Sequence, residues 1–278
     1  MSMSQRPLAG QTAFVSGSTA GIGMAIVQAL LADGARVILN GRQPQAVQAA
    51  VSRLREQDPQ ADVSGIAADL GTAAGCEQVA PLLADADILV NNLGIFEPKP
   101  FEQIADADWQ RLFEVNVMSG VRLSRAALPG MLARNRGRIV FISSESGIGP
   151  PAEMVHYGMS KSAQLSVARG LAECCAGTAV TVNSVLPGPT RPKALAPSST
   201  PWPRSRASAS TKPRPASSAK RGPPRCCAAS SAPTKSPRWW PTSAARRPAL
   251  PPAPRCGWTV AWCARSPESF CFSPGVNP

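Results

Sequence analysis

Three closely spaced glycines, Gly17, Gly21 and Gly23, follow the apolar run Thr12–Val15 and lead straight into Met24-Ala25-Ile26-Val27-Gln28-Ala29-Leu30-Leu31. Nothing else in the chain restricts its fold as much. A strand that passes through a glycine turn into a helix leaves free N–H groups at the helix start. The missing side chains let the backbone turn tightly and approach a charged group such as a pyrophosphate. The same glycines are also compatible with a tight turn that holds no ligand.

The rest of the pattern supports a nucleotide there. Short apolar or β-branched runs recur at residues 12–15, 36–40, 63–67, 87–91, 137–143 and 179–185, separated by helix-length segments such as 23–33 and 109–134. Runs apolar on both faces between helices read as buried parallel strands with crossover helices. The expected fold is therefore α/β, a doubly wound parallel sheet of the Rossmann type. In such sheets function gathers at the carboxyl ends of the strands, where strand order switches.

Composition divides the chain in two. Its 278 residues carry 29 Lys+Arg against 17 Asp+Glu, a formal charge of +12, with 29 Pro and 8 Cys. Residues 1–190 hold 14 basic and 16 acidic side chains with 11 prolines, whereas residues 191–278 hold 15 basic, 1 acidic and 18 prolines. The first part is long enough for one domain with a sizeable core, and its near-neutral charge argues against a nucleic-acid face. Proline at the density of the second part excludes long helices and central strands, and its Ser, Ala, Pro and Arg runs read as disordered. The expected organisation is a dinucleotide-binding catalytic domain at 1–190 and a basic, disordered tail at 191–278. No stretch reaches the ~18–20 apolar residues of a membrane span. Residues 1–10 lack the apolar run of a secretory signal, so the expected location is the cytoplasm. Without a Cys-x-x-Cys pair, no metal site or disulfide framework is expected.

The second run ends Leu39-Asn40-Gly41-Arg42. A free ribose 2′-hydroxyl is usually held at this point by a carboxylate, which would repel a 2′-phosphate, whereas an arginine attracts one. With no acid at 40–42 and Arg42 in place, NADP(H) is favoured over NAD(H); a solvated surface arginine is the plainer reading of Arg42. The only tyrosine, Tyr157, precedes Lys161 by one helical turn, so the ammonium can sit near the phenol. A nearby positive charge lowers a phenol's pKa, and moving it from ~10 toward ~7 takes about 4 kcal/mol. A phenol so tuned can give a proton to a carbonyl oxygen or take one from an alcohol. The pair alone is also compatible with surface packing. His156, the only histidine, would face another side of the helix and reads as structural or as part of a substrate rim.

In this setting the chain resembles the short-chain dehydrogenase/reductase family over about residues 8–190. The glycine turn at 17–23 is similar to that family's cofactor loop, and Asp69-Leu70 to its adenine-side contact. Asn91-Asn92-Leu93-Gly94 is similar to the Asn-Asn-Ala-Gly motif ending its fourth strand, with Leu for the usual Ala. Asn116 matches its helix asparagine, the run from Gly137 to Ser144 its fifth strand and serine, and the run from Val182 to Thr190 its sixth strand and the turn against the nicotinamide. The resemblance implies Tyr157 as acid/base, Lys161 lowering its pKa and holding the nicotinamide ribose, and Asn116 holding a water in a relay to Lys161. It also implies a serine on the substrate oxygen. The family's spacing of thirteen residues to the tyrosine selects Ser144, with Ser143 the fallback. Cofactor contacts implied are Gly17, Ser18, Thr19, Gly21, Ile22, Gly23, Arg42, Asp69, Leu70, Asn91 and Gly94, then Tyr157, Lys161, Pro187, Gly188 and Thr190; no metal is implied. The reaction implied is hydride transfer between NADP(H) and a small-molecule ketone or alcohol, with 3-oxoacyl thioesters among the candidate substrates.

Members of that family continue past the Pro-Gly turn with a substrate lid, a helix and a final strand ending in a Val-Asp-Gly-Gly-like turn. The chain as written shows none of these. Tryptophan has one codon, so reading one base back turns Trp258-Thr259 into aspartate and Trp262-Cys263 into valine, and residues 256–263 then admit Leu-Arg-Val-Asp-Gly-Gly-Val-Val. The expectation is a base lost near codon 191 and an out-of-frame tail. The final strand and helix would then be missing, the sheet edge unpaired, the family's homo-oligomer contacts weakened and the nicotinamide open to water. Low turnover is expected of such a chain. The alternatives are a natural basic tail serving a nonenzymatic nucleotide- or nucleic-acid-binding protein, or an inactive truncated homologue.

Overall fold

A computed structural model describes residues 6–188 and, as backbone, a short strand further on at Val260–Cys263. Seven parallel strands make one sheet: β1 (Thr12–Val15), β2 (Arg36–Gly41), β3 (Val63–Ala67), β4 (Ile88–Asn91), β5 (Gly137–Ile142), β6 (Val180–Pro187) and β7 (Val260–Cys263). Their order is β3-β2-β1-β4-β5-β6-β7, so the chain winds outward from β1 on one side and from β4 on the other. The switch point lies between β1 and β4.

The strands form where successive residues feed opposite layers. Ala13 and Val15 belong to one buried cluster and Phe14 to the other, all three fully buried. The first cluster is closed by α1 (Gly21–Ala32) and α2 (Pro44–Gln57), the second by α3 (Ala73–Leu83), α5 (Ser119–Ala133) and α6 (Val155–Cys174). Helix α1 buries Ile26, Val27, Leu30 and Leu31, the spacing of one helix face, and each such side chain contributes about 1.5–3 kcal/mol. Helix α2 opens with Pro44 in its first turn, where the missing N–H has no intrahelical partner to lose.

Two elements differ from the sequence pattern. The periodic segment 109–134 is not one helix: α4 (Asp106–Phe113) runs into a π turn, Glu114–Met118, and then into α5. The wider turn points Asn116 inward, fully buried, a displacement that helical periodicity does not encode. The sheet also does not end at β6, as expected, because Val260–Cys263 pairs with it in parallel, Ser184 opposite Val260 and Pro187 opposite Cys263. An open edge offers unpaired N–H and C=O groups to any short apolar run, and Val-Ala-Trp-Cys is one. Apart from this strand, the expected tail at 191–278 and the boundary at 190 lie outside the described residues.

Candidate active site

The glycine turn sits at the carboxyl end of β1. Gly17 and Gly21 both have φ of +58°, a region that side chains disfavour. Gly23 has a different reason: a Cβ there would lie 2.6 Å from Asn92 Nδ2 and 2.7 Å from the Gly17 carbonyl. That amide ties two loops together, donating to the carbonyls of Ser16 at 3.0 Å and Gly17 at 2.9 Å. Asn40, at the end of β2, accepts from Gly17 N at 3.2 Å, while Ser18 Oγ accepts from Asn40 N at 3.0 Å. Helix α1 starts at Gly21 after Ala20, which supplies no side-chain cap, and has no acidic residue in its first turn. Its free N–H groups and positive dipole end are thus open to an anion. A backbone cradle that added side chains would fill and an uncapped helix start fit a dinucleotide pyrophosphate.

Beyond the cradle, Arg42 is exposed just past β2, and Thr19 lies against the Gly41 before it, since a Cβ on Gly41 would meet Thr19 Cγ2 at 2.6 Å. Ile22, in the first turn of α1, packs against the first core cluster. Asp69 is exposed and accepts from Gly71 N at 3.1 Å, while Leu70 is buried. Asn91 is buried at the end of β4, donates to Ser124 Oγ at 3.0 Å, and leaves its Oδ1 without a partner among the described residues. Pro187 ends β6 and Gly188 follows; Thr190 lies outside the described residues.

Around the β5 end and the start of α6, the two serines separate cleanly. Ser143 Oγ donates to the Lys161 carbonyl at 2.9 Å, which leaves it a structural tie. Ser144 Oγ instead accepts from Ser146 N at 3.2 Å, capping the short turn Glu145–Gly147, and lies close enough to the Tyr157 phenol to influence its titration. Burial pushes the phenol above its ordinary value, and Ser144 beside it offsets only part of that rise. The lowering expected from Lys161 is not what this geometry gives. Lys161 Nζ lies 5.6 Å from the ring centroid and donates to Ile142 O at 2.9 Å and Gln164 Oε1 at 3.1 Å. Burial pushes Lys161 itself down to about 8. Gly94 lies against this lysine: a Cβ there would be 3.3 Å from Nζ.

Asn116 is held on every side. Its Oδ1 accepts from Ile95 N at 2.8 Å, its Nδ2 donates to Ile95 O and Ser160 Oγ at 2.9 Å, and its carbonyl accepts from Gln164 Nε2 at 2.6 Å. Gln164 thus links Lys161 to Asn116, a role the sequence reading missed although the i, i+3 spacing was a usable signal. Asn92 and Asn40 were also missed as loop ties. His156 is fully buried against Trp109, with ring centroids 5.9 Å apart, and burial pushes it down. Phe96 stands exposed with its ring centroid 6.1 Å from that of Tyr157. Among the described residues no helix is long and apolar enough to cross a membrane, and no group of three or more His, Cys, Asp or Glu could hold a metal.

The sequence profile described as short chain dehydrogenase matches residues 11–202. This chain belongs to the short-chain dehydrogenase/reductase family. It is 50% identical over 183 residues to the oxidoreductase YvaG of Bacillus subtilis strain 168, covering 66% of this chain and 69% of that one. Among solved structures it resembles L-sorbose reductase from Gluconobacter frateurii complexed with NADPH and L-sorbose, at 32% identity and a TM-score of 0.63, covering 66% of this chain and 71% of the other. It also resembles a 3-oxoacyl (acyl-carrier-protein) reductase from Agrobacterium tumefaciens C58 with NADP bound, at 32% identity and a TM-score of 0.62, covering 66% and 72%. As a short-chain dehydrogenase, the chain is an oxidoreductase whose Tyr157, Ser144, Lys161 and Asn116 converge at the carboxyl ends of β4 and β5.

Proposed function

We propose that this short-chain dehydrogenase is an NADP(H)-dependent carbonyl reductase or alcohol dehydrogenase. The observation that carries the reading is the placing of Ser144 and Tyr157 side by side where the buried Lys161–Gln164–Asn116 chain reaches the carboxyl ends of β4 and β5. The nicotinamide, when bound, supplies or accepts the hydride. In reduction, Tyr157 gives its phenolic proton to the carbonyl oxygen while Ser144 holds that oxygen, so that hydride and proton together turn the ketone into the alcohol; oxidation reverses both transfers. Lys161, held near 8 by burial, holds or releases a proton close to neutrality and can restore the one Tyr157 gives up. Asn116 and Gln164 fix the lysine's position.

Gly17, Ser18, Thr19, Gly21, Ile22 and Gly23 would hold the pyrophosphate side of the cofactor, Arg42 its 2′-phosphate, and Asp69 and Leu70 its adenine side. Asn91, Gly94, Pro187, Gly188 and Thr190 would flank the nicotinamide half. NADP(H) over NAD(H) is supported by the exposed Arg42 and by the NADPH and NADP held in the solved structures of the two reductases. Those proteins are named for a ketose and a 3-oxoacyl thioester, which supports a ketone as the substrate class here. We place the protein in the cytoplasm and read residues 191–278 as a one-base frame shift, on the tryptophan codons and the change of composition. The test is a fluorescence titration with NADPH beside ketone-dependent NADPH oxidation. Binding and oxidation support the reading; salt-dependent DNA binding with no NADPH binding would support the nonenzymatic alternative.

A further inference from the structure

Glu145 stands outside the machinery described so far. It follows Ser144 directly and opens the turn Glu145–Gly147, while its carboxylate reaches the turn after β6: a Cβ on Gly188 would lie 3.2 Å from Glu145 Oε2. Strands β5 and β6 are neighbours, so Glu145 spans the gap between their carboxyl ends, next to the serine that meets Tyr157. Its backbone is fixed, because its carbonyl accepts from Ile148 N at 2.9 Å and Gly149 N at 3.0 Å. The residue is half-buried, and among the described residues its carboxylate has no hydrogen-bond donor or cation. A carboxylate only accepts hydrogen bonds; partly withdrawn from water, it gains from an O–H donor, and it opposes a second carboxylate.

Resting on the assignment of Ser144 and Tyr157 as the carbonyl-binding pair, we propose that Glu145 selects the substrate. It accepts a hydrogen bond from a hydroxyl on the carbon next to the reacting carbonyl, so neutral hydroxyketones are taken ahead of plain ketones and of oxo acids. No bond to Glu145 forms or breaks in the reaction; it acts by binding alone. A hydrogen bond to a charged group gives selectivity of about ten-fold or more.

The experiment uses the full chain in excess over NADPH, so that single-turnover oxidation registers even a slow enzyme. Hydroxyacetone, acetone and pyruvate differ only in the group beside the carbonyl. The unaltered chain is expected to oxidise NADPH about ten-fold faster with hydroxyacetone than with either of the others. Glu145→Ala should bring hydroxyacetone down to the acetone rate, and Glu145→Gln, nearly isosteric, should raise the pyruvate rate about ten-fold by removing the repelling charge. NADPH affinity, read by fluorescence, should stay within about two-fold in both variants. Circular dichroism checks that Glu145→Ala is folded; if it is not, Glu145→Gln decides. Unchanged rate ratios, or a loss confined to NADPH affinity, overturn the role of Glu145 and leave the reductase assignment standing. A chain with the base restored near codon 191 that binds NADPH but turns over none of the three ketones overturns the reductase assignment, and this role with it.

Discussion

Lys161 is 4% exposed, and burial holds its pKa at about 8 against an ordinary 10.5. Because the folded value lies below the unfolded one, burying the ammonium costs stability at every pH under the folded value. That cost is relieved as pH rises through the window in which the unfolded chain still holds the proton and the folded chain has released it. Measured by urea unfolding, the stability of the chain relative to Lys161→Met should therefore rise by roughly 3 kcal/mol between pH 8 and 10.5. A difference independent of pH would contradict the buried-ammonium account. The serines allow a second comparison. Ser144→Ala should lower kcat/KM by about 10²-fold, the usual loss for one donor to a developing oxyanion, and by more than Ser143→Ala, whose hydroxyl is tied to the Lys161 carbonyl. Equal losses in steady-state kinetics would remove the distinction. At this scale the nearness of Tyr157, Lys161 and Ser144 to one another was legible in the sequence, since helical spacing and the family's serine interval are both local. Asn92 and Asn40 were not, because each acts on backbone that is distant along the chain and comes near only once the sheet has formed.

At the scale of elements, the β1–α1 turn depends on Gly23 more than on the flexibility of its neighbours. An alanine there would put a methyl 2.6 Å from Asn92 Nδ2 and 2.7 Å from Gly17 O, so either the Asn92 tie or the loop must move. Gly23→Ala should weaken NADPH binding about ten-fold or more and lower the melting temperature, read by fluorescence titration and calorimetry. Unaltered NADPH affinity would show that the cradle tolerates the methyl. The six strands within residues 6–188 were legible because parallel strands covered on both faces are written as apolar runs. The π turn at Glu114–Met118 was not, since one extra residue per turn leaves the apolar periodicity nearly unchanged while turning Asn116 inward. Strand β7 was hidden for another reason: its four residues lie in a proline-rich context that argues against strands.

At the scale of the whole molecule, the excess positive charge comes from residues 191–278, with 15 basic and 1 acidic side chains, and the near-neutral residues 1–190 hold the proposed site. The frame-shift reading expects a chain with one base restored near codon 191 to melt higher and to reduce ketones about ten-fold faster or more than the chain as written, because a lid and a final helix would return. Equal melting temperatures and rates, measured side by side, would favour a natural tail. The central claim, that Tyr157 is the proton donor of an NADP(H)-dependent carbonyl reductase, is tested most directly by single-turnover NADPH oxidation with the full chain and its Tyr157→Phe variant, each saturated with NADPH. The account expects equal NADPH affinity and a rate lower by about 10³-fold or more in the variant; equal rates would contradict it.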